Sequence, residues 1–476
     1  MFAVNWSSPV LEGLIAALYV LLAGLVTVDV LLKKNDVRAE LGWIAVAWFS
    51  PLLGSLLYYM FGINRVTRRA LKLRRRRRAQ NEAAPIPAGA APPPHIALLA
   101  GLGERVTGHH LLPGNDVSLL EDGDNAYPDM LAVIAQARHS IALASYIFRD
   151  DAAGRQFADA LIAAHGRGVA VRVLLDSVGI GYFFPRILYR MRAAGVRAER
   201  FLHTWLPWRM PFLNMRNHRK LLVVDGRIAF LGGMNIGAEN YRRTRLRRRV
   251  KDIHFRIEGP AVHQVMEAFA RDWSFTTDEK LEAACWWPEL KAVGPVFARG
   301  VRSGPDDDIY RAELMLGAAL TLARQRVRIV TPYFLPDQRL QFAIAQACLR
   351  GVEVDIVIPE HCDYRFMDWA MRAHLRFFRH IPASIHATPR PFDHSKLVTM
   401  DGEWCWIGSS NWDARSFRLN FEFDLECCDR DLAARLDAII DAKLARAKKL
   451  KPERLLARPM PTRLRDAAAR LLLPYL

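Results

Sequence analysis

"NHRKLLVVD", residues 217–225, sets a histidine and a lysine on alternate positions, runs through four aliphatics and closes on an acid. Alone it reads as the start of a buried strand. The pattern returns at residues 393–401 as "DHSKLVTMD", and a plain strand start has no reason to repeat its His, Lys and Asp in register. In an extended strand residues i and i+2 share a face, so His218 points with Lys220 and His394 with Lys396.

Both segments continue through Asp-Gly into a second apolar run, "VVDGRIAFLGGMN" and "TMDGEWCWIGSSN". Asp-Gly between apolar runs predicts a hairpin, which leaves Asp225 and Asp401 readable either as turn residues or as members of a site. Upstream the repeat continues. "SIALASYIF" (140–148) matches "RVRIVTPYFL" (326–335), with Tyr146 opposite Tyr333, and helical stretches follow at 151–165 and 336–350. "RGVAVRVLLD" (167–176) then matches "RGVEVDIVIP" (350–359). Strand–helix–strand units with near-continuous apolar strands predict an α/β fold with a mixed, largely parallel sheet covered by helices. Two such repeats, 96–290 and 291–445, are expected to pack together face to face, because each carries half of a matching constellation.

The chain has 476 residues, more than one core usually serves, and a formal net charge of +18. That excess favours an anionic partner, either nucleic acid or an acidic membrane. The six cysteines form no C-x-x-C pair, so they read as free thiols in a reducing compartment, not as a disulfide framework or a zinc site. The N-terminus chooses between the partners. Residues 10–32 are apolar except for Glu12 and Asp29, and residues 41–63 carry no charge. Each stretch reaches the roughly 20 residues that cross a hydrocarbon core. No Lys or Arg precedes Pro9, which argues against a cleavable signal peptide. Residues 1–64 therefore read as a two-helix transmembrane hairpin. The loop between the spans holds three basic residues (Lys33, Lys34, Arg38), whereas nine lie between Arg65 and Arg78. This bias places both termini and the large α/β unit on the cytoplasmic side. Residues 65–95 form a basic, then Pro/Ala-rich linker.

A neutral imidazole is a competent nucleophile toward phosphorus, and a neighbouring ammonium suits a phosphate oxygen while it would repel a metal ion. Two His-Lys sets meeting at one point supply a nucleophile, a general acid and two cations for one phosphodiester. Asn235 and Asn411, in "GGMN" and "GSSN", add donors. No metal and no cofactor is expected.

H-x-K-x4-D-x6-G-(G/S)-x-N, present twice, resembles the signature of the phospholipase D superfamily. Together with the two N-terminal spans, the chain resembles its membrane-anchored bacterial cardiolipin synthases. "TPYFLPD", "HFRIEGPAV" and "SNWDARSFRLNFE" extend the likeness over nearly the whole length. The resemblance implies transfer of a phosphatidyl group from one phosphatidylglycerol to another at the bacterial cytoplasmic membrane, with release of glycerol. It implies His218 as nucleophile, His394 as general acid and then base, and Lys220, Lys396, Asn235 and Asn411 around the phosphate. Asp252 and Glu422 would orient the histidines. Two departures stand out: Ala144 where the family often has a glutamate, and seven basic residues in "YRRTRLRRRVKD" (241–252). The expected partners are phosphatidylglycerol, other anionic phospholipids and the membrane, with no nucleic acid and no obligate protein partner. A phospholipase D-type hydrolase, a tethered nuclease and a non-catalytic phospholipid scaffold are the rival readings.

Two further stretches are read against the bilayer. "FLHTWLPWRMPFL" (201–213) interleaves aromatics with Arg209, in the headgroup zone or in a packed loop. The tail 446–476 sets Leu464, Leu471 and Leu472 against Arg463, Arg465 and Arg470. It reads as a basic amphipathic helix, on the membrane or docked on the protein's own surface.

Overall fold

The computed structural model describes residues 9–34, 37–62, 96–203, 215–242, 249–305 and 308–471. The linker run 65–95, most of the aromatic stretch 201–213, the centre of the basic segment 241–252 and Leu472 lie outside the described residues. The chain divides into an N-terminal unit and a large unit that carries both motifs.

In the N-terminal unit, α1 (Pro9–Lys33) is 25 residues of nearly unbroken apolar sequence, about 37 Å at 1.5 Å per residue. It is long and apolar enough to cross a membrane, with mean hydropathy 2.4 over an 18-residue window within Leu11–Lys33. Its one interior acid, Asp29, is ion-paired with Lys33 and accepts the Tyr58 hydroxyl at 2.8 Å. The second apolar stretch differs from the single span expected. It forms α2 (Val37–Phe49) and α3 (Pro51–Leu57), each short of a crossing. Pro51 has no N–H to continue the helix and is suited to a first helical position. Past it the chain turns so sharply that a Cβ on Gly54 would come within 2.2 Å of the Val46 carbonyl oxygen.

The large unit opens with α4 (Ala97–Thr107) and then runs through two copies of one plan. The first copy is β1 (Leu112–Glu121), α5 (Asp122–Gln136), β2 (Ser140–Ser145), α6 (Ala152–Gly166), β3 (Ala170–Asp176), α7 (Arg186–Ala193), β4 (Arg197–Phe201), β5 (Leu221–Val224), β6 (Ile228–Gly232), β7 (Ile253–Glu258) and α8 (Val262–Thr277). The second is β8 (Val296–Ser303), α9 (Arg311–Leu322), β9 (Arg326–Val330), α10 (Gln338–Leu349), β10 (Glu353–Pro359), α11 (Arg365–Leu375), β11 (Ser384–Thr388), β12 (Leu397–Met400), β13 (Trp404–Gly408), β14 (Asn420–Cys428) and α12 (Arg430–Leu444). These strands lie in the order β11-β10-β9-β12-β13-β14-β8-β1-β7-β6-β5-β2-β3-β4 within one sheet, which two-residue strands Arg216–Asn217 and Lys448–Lys449 also join. The order is a palindrome of the two copies.

The repeats are therefore joined edge to edge, through the antiparallel pairing of β1 with β8, and not face to face as expected. Each repeat ends its sheet on the strand that precedes its motif-bearing core. Pairing those two strands removes two exposed edges at once. Buried aliphatics on β2, β3 and α6 form one core, and those on β9, β10 and α10 form its counterpart. Capping follows the repeat as well: Asp151 accepts the Gly154 N–H at the start of α6, and Asp337 accepts those of Arg339 and Leu340 at the start of α10.

Beside the seam, within the second copy, lies a fully buried ion pair. Arg299 on β8 donates to Glu426 on β14 and to the Ala100 carbonyl on α4. Gly103 leaves room for it, since a Cβ there would sit 1.7 Å from the Arg299 Nη2. After the second repeat, α13 (Met460–Leu471) docks on α11. Asp466 is buried between Arg458 and Arg465, and Arg465 lies over the Trp369 ring at 4.4 Å. The amphipathic helix expected of the tail is thus present and packed on the protein itself, with Leu464 and Leu471 outward.

The Arg299–Glu426 pair yields a stability test. Arg299→Met strands a buried carboxylate and is expected to cost about 3–5 kcal/mol, whereas Arg299→Met with Glu426→Gln recovers most of it. Chemical-denaturation midpoints of the two variants check this. Equal losses in the single and double variants would show that the stranded carboxylate is not the cause of the loss.

Candidate active site

The two motifs sit at matching places because β5 and β12 begin only after the H-x-K triplet. Each histidine is approached by a two-residue strand that pairs with the other repeat. Arg216–Asn217 runs parallel to the start of β14, and Phe392–Asp393 runs parallel to Val250–Lys251, just before β7. The His218 N–H donates to the Phe421 carbonyl at 2.9 Å and the His394 N–H to the Lys251 carbonyl at 2.7 Å. This stitching puts each imidazole beside the acid of the opposite copy.

His218 Nδ1 lies 2.9 Å from Glu422 Oε2, and His394 Nδ1 lies 2.8 Å from Asp252 Oδ2. An ionised carboxylate only accepts, so each Nδ1 carries the proton and Nε2 is left with its lone pair for chemistry. The two acids are held differently. Glu422 also accepts the Ser409 hydroxyl at 2.6 Å. Asp252 is shorter by a methylene and lies against Gly233, where a Cβ would come within 2.6 Å of its carboxylate. The Gly-Gly of one motif and the Gly-Ser of the other are thus fitted to Asp and Glu respectively.

Lys220 and Lys396 are buried on the same faces as their histidines. Each ammonium donates to the carbonyl of its own motif's histidine, His218 for Lys220 and His394 for Lys396. Burial pulls Lys220 down to about 7 against the opposing field of Glu422, with Lys396 adding to the fall. Burial likewise pulls Lys396 down to about 8. Desolvation outweighs Glu422 and holds His218 neutral, at about 4, and His394 is lowered by burial and Lys396. The field of Lys396 reaches His218 and that of Lys220 reaches His394. Both motifs therefore meet at one place, with two neutral imidazoles, two ammonium groups and two carboxylates. Such a set can bind an anionic phosphodiester, attack it and shuttle a proton.

Of the two motif asparagines, Asn235 is partly buried and Asn411 is buried. Asn235 Oδ1 accepts the Ile147 N–H at 3.1 Å. Asn411 Oδ1 is buried with no hydrogen-bond partner among the described residues. Tyr146 packs edge-on to His218 at 5.0 Å, and Lys220 lies over its ring at 5.3 Å. Asp176 and Ser409 escaped the sequence reading. Asp176 ends β3 and accepts the Asn217 N–H at 2.9 Å, fixing the residue before His218. Its signal was an acid closing an apolar strand, which is too common to single out.

Asp225 and Asp401, counted with the catalytic residues from the motif, stand at the far ends of β5 and β12. Their φ angles are +51° and +52°, a region Asp and Gly tolerate and most residues avoid. The Asp225 carboxylate accepts the amide N–H groups of Arg138, His139 and Ser140. That of Asp401 accepts those of Arg324, Gln325 and Arg326. Neither reaches a histidine or lysine of the motif. They close the hairpin and tie it to β2 and β9.

The family described as "Cardiolipin synthase, PLD-like domain" matches residues 130–273 and 316–444, and the one described as "Phospholipase_D-nuclease N-terminal" matches 21–62. The major cardiolipin synthase of Bacillus subtilis is 30% identical over 98% of this chain and 100% of its own length. Cardiolipin synthase A of Pseudomonas putida is 31% identical, covering 94% of this chain and 95% of its own. Among solved structures, a phosphatidylserine synthase from Haemophilus influenzae superposes with a TM-score of 0.59 at 15% identity, covering 76% of this chain and 95% of that one. At that identity the likeness concerns the fold alone.

A hairpin role for Asp225 has a distinct signature. Asp225→Ala forfeits three amide acceptors in a left-handed turn and is expected to lose about 1–3 kcal/mol of stability. Asp225→Asn, which tolerates that backbone, should lose less. Turnover per folded molecule should change little in either. Loss of turnover by orders of magnitude at unchanged melting temperature would return Asp225 to the catalytic set.

Proposed function

The chain belongs to the phospholipase D-like cardiolipin synthase family, and from that premise we propose that it joins two phosphatidylglycerol molecules into cardiolipin and releases glycerol. The observation that carries the reading is the crossed pair of His–carboxylate contacts around two buried lysines, which supplies one attacking nitrogen and one proton carrier at a single anion site.

In the first step His218 Nε2 attacks phosphorus. The N–P bond forms as the P–O bond to glycerol breaks, and His394 gives its proton to the departing oxygen. In the second step His394 Nε2 takes the proton from the headgroup hydroxyl of a second phosphatidylglycerol. That oxygen attacks phosphorus, the N–P bond breaks and His218 is restored. With both lysines charged and both histidines neutral, the two carboxylates balance the empty site. An arriving phosphodiester adds one negative charge, which favours protonation of His394 and holds the protons on both ammonium groups. Charge stabilisation and positioning lower the barrier. Asn235 and Asn411 complete the phosphate's donors, and Glu422 and Asp252 keep the proton on each Nδ1.

The protein acts on phospholipid at a membrane. The nine basic residues after the second apolar stretch, against three before it, favour a catalytic unit on the cytoplasmic side of a multi-pass anchor.

Purified full-length chain in phosphatidylglycerol proteoliposomes should release glycerol and cardiolipin in equal amounts. Phosphatidate in place of cardiolipin would make it a hydrolase, and neither product would leave a binding scaffold. The lysines set the pH dependence. An ammonium depressed to about 7 or 8 is lost as pH rises through those values, so kcat/KM should fall on that limb, well below the ordinary lysine range. The kcat limb should lie higher, because bound phosphate holds the protons on. Lys220→Met should lower kcat/KM by about 10²–10³-fold. An alkaline limb near 10 would contradict the buried-lysine account.

A further inference from the structure

Two loops leave equivalent strands of the two repeats and end in exposed aromatics. Residues 177–185, between β3 and α7, carry Phe183 and Phe184 at 59% and 81% exposure. Residues 360–364, between β10 and α11, carry Tyr364 at 64%. Each aromatic tip is followed by an exposed arginine at the first position of the next helix, Arg186 and Arg365. A singly exposed aromatic is ordinary, but here aromatics followed by an arginine recur at the equivalent loop of both copies.

Both loops are also fastened to the catalytic histidines. Asp176 holds the first by accepting the Val178 N–H at 3.0 Å while it accepts the Asn217 N–H next to His218. In the second, Asp363 accepts the Tyr333 hydroxyl at 2.5 Å. Tyr333 packs on Phe392 at 6.1 Å, and Phe392 packs on His394 at 5.9 Å. Each loop is therefore tied, through Asn217 or Phe392, to the segment that carries a catalytic histidine.

We propose that loops 177–185 and 360–364 are paired lips that rest on an anionic phospholipid bilayer, with Phe183, Phe184 and Tyr364 in the headgroup zone and Arg186 and Arg365 on lipid phosphates. Aromatic rings interleaved with cations suit that zone, and the chain's net charge of +18 complements it. A lipid rising between the lips meets the histidines without crossing bulk water. The inference rests on the cardiolipin synthase reading, which supplies a substrate that resides in the bilayer.

The test uses the full chain reconstituted in phosphatidylcholine proteoliposomes with graded phosphatidylglycerol. The triple variant Phe183→Ser, Phe184→Ser, Tyr364→Ser should need roughly tenfold more phosphatidylglycerol in the bilayer for half-maximal rate. On monomeric short-chain phosphatidylglycerol, added from water, its rate should stay within about twofold of the native rate, since no bilayer contact is needed. Equal losses on both substrates, or no loss on either, would overturn the proposal. A second arm does not depend on turnover. An environment-sensitive dye on Phe184→Cys, with Cys285 and Cys362 replaced by Ser, should shift to the blue and be quenched by brominated phosphatidylglycerol. The same dye on Lys280→Cys, exposed elsewhere, should do neither. A water-like dye at position 184 would refute the lips, as would a shift that follows protein concentration and not lipid, which would point to a second copy of the chain. If the native protein makes no cardiolipin from either substrate, the functional reading fails, and the dye still decides whether the loops touch lipid.

Discussion

Each catalytic imidazole is held by a carboxylate from the other repeat, and much else in the large unit serves that exchange. Glu422 lies on β14 and reaches back to His218; Asp252 precedes β7 and reaches across to His394. Neither repeat contains a working histidine by itself. The seam between them must therefore be exact to a fraction of an ångström, and it is secured by backbone pairing. β1 joins β8, the His218 N–H donates to the Phe421 carbonyl of β14, and the His394 N–H donates to the Lys251 carbonyl of the first repeat.

Burial gives the site its reactivity. In water both lysines would hold their protons far above neutral pH, and both histidines would be partly protonated at slightly acidic pH. Packed together without solvent, all four lose proton affinity. The empty centre is then poised near neutrality and gains from an incoming anion more than a solvated cluster would. The same desolvation keeps the attacking nitrogen free of a proton. Two carboxylates limit the effect, and their placement on Nδ1 leaves the other ring nitrogen facing the substrate.

The spacing of His and Lys, the paired asparagines, the Asp-Gly hairpins and the α/β repeat were all legible in the sequence, because each depends on local geometry with a period of two or on turn chemistry. The crossing was not. Asp252 and Glu422 were identifiable by position, but which histidine each serves depends on pairing between residues about 200 apart in the chain for His218 and Glu422. Edge-to-edge joining was likewise hidden, since an unpaired strand edge leaves no pattern in side chains. Asp225 and Asp401 could be read two ways from the sequence: the motif invites a chemical role, whereas a positive φ and three amide donors at each give the acid a structural one. At the N-terminus the break was written in Ser50-Pro51, but uninterrupted hydropathy outweighed it. The tail's polarity was read correctly as amphipathic, yet its apolar face alone could not say that α11 would cover it.

The crossed geometry is tested most directly by trapping the covalent intermediate with a phosphatidyl ester of p-nitrophenol, whose departure needs no proton. Glu422→Gln, which disturbs His218 from the second repeat, should form little or no adduct. Asp252→Asn, which disturbs His394 from the first, should form the adduct and then hold it, because the base for the second step is impaired. Peptide mass analysis should place the added phosphatidyl on His218. Adduct on His394, accumulating in Glu422→Gln and absent from Asp252→Asn, would contradict the assignment of the two histidines.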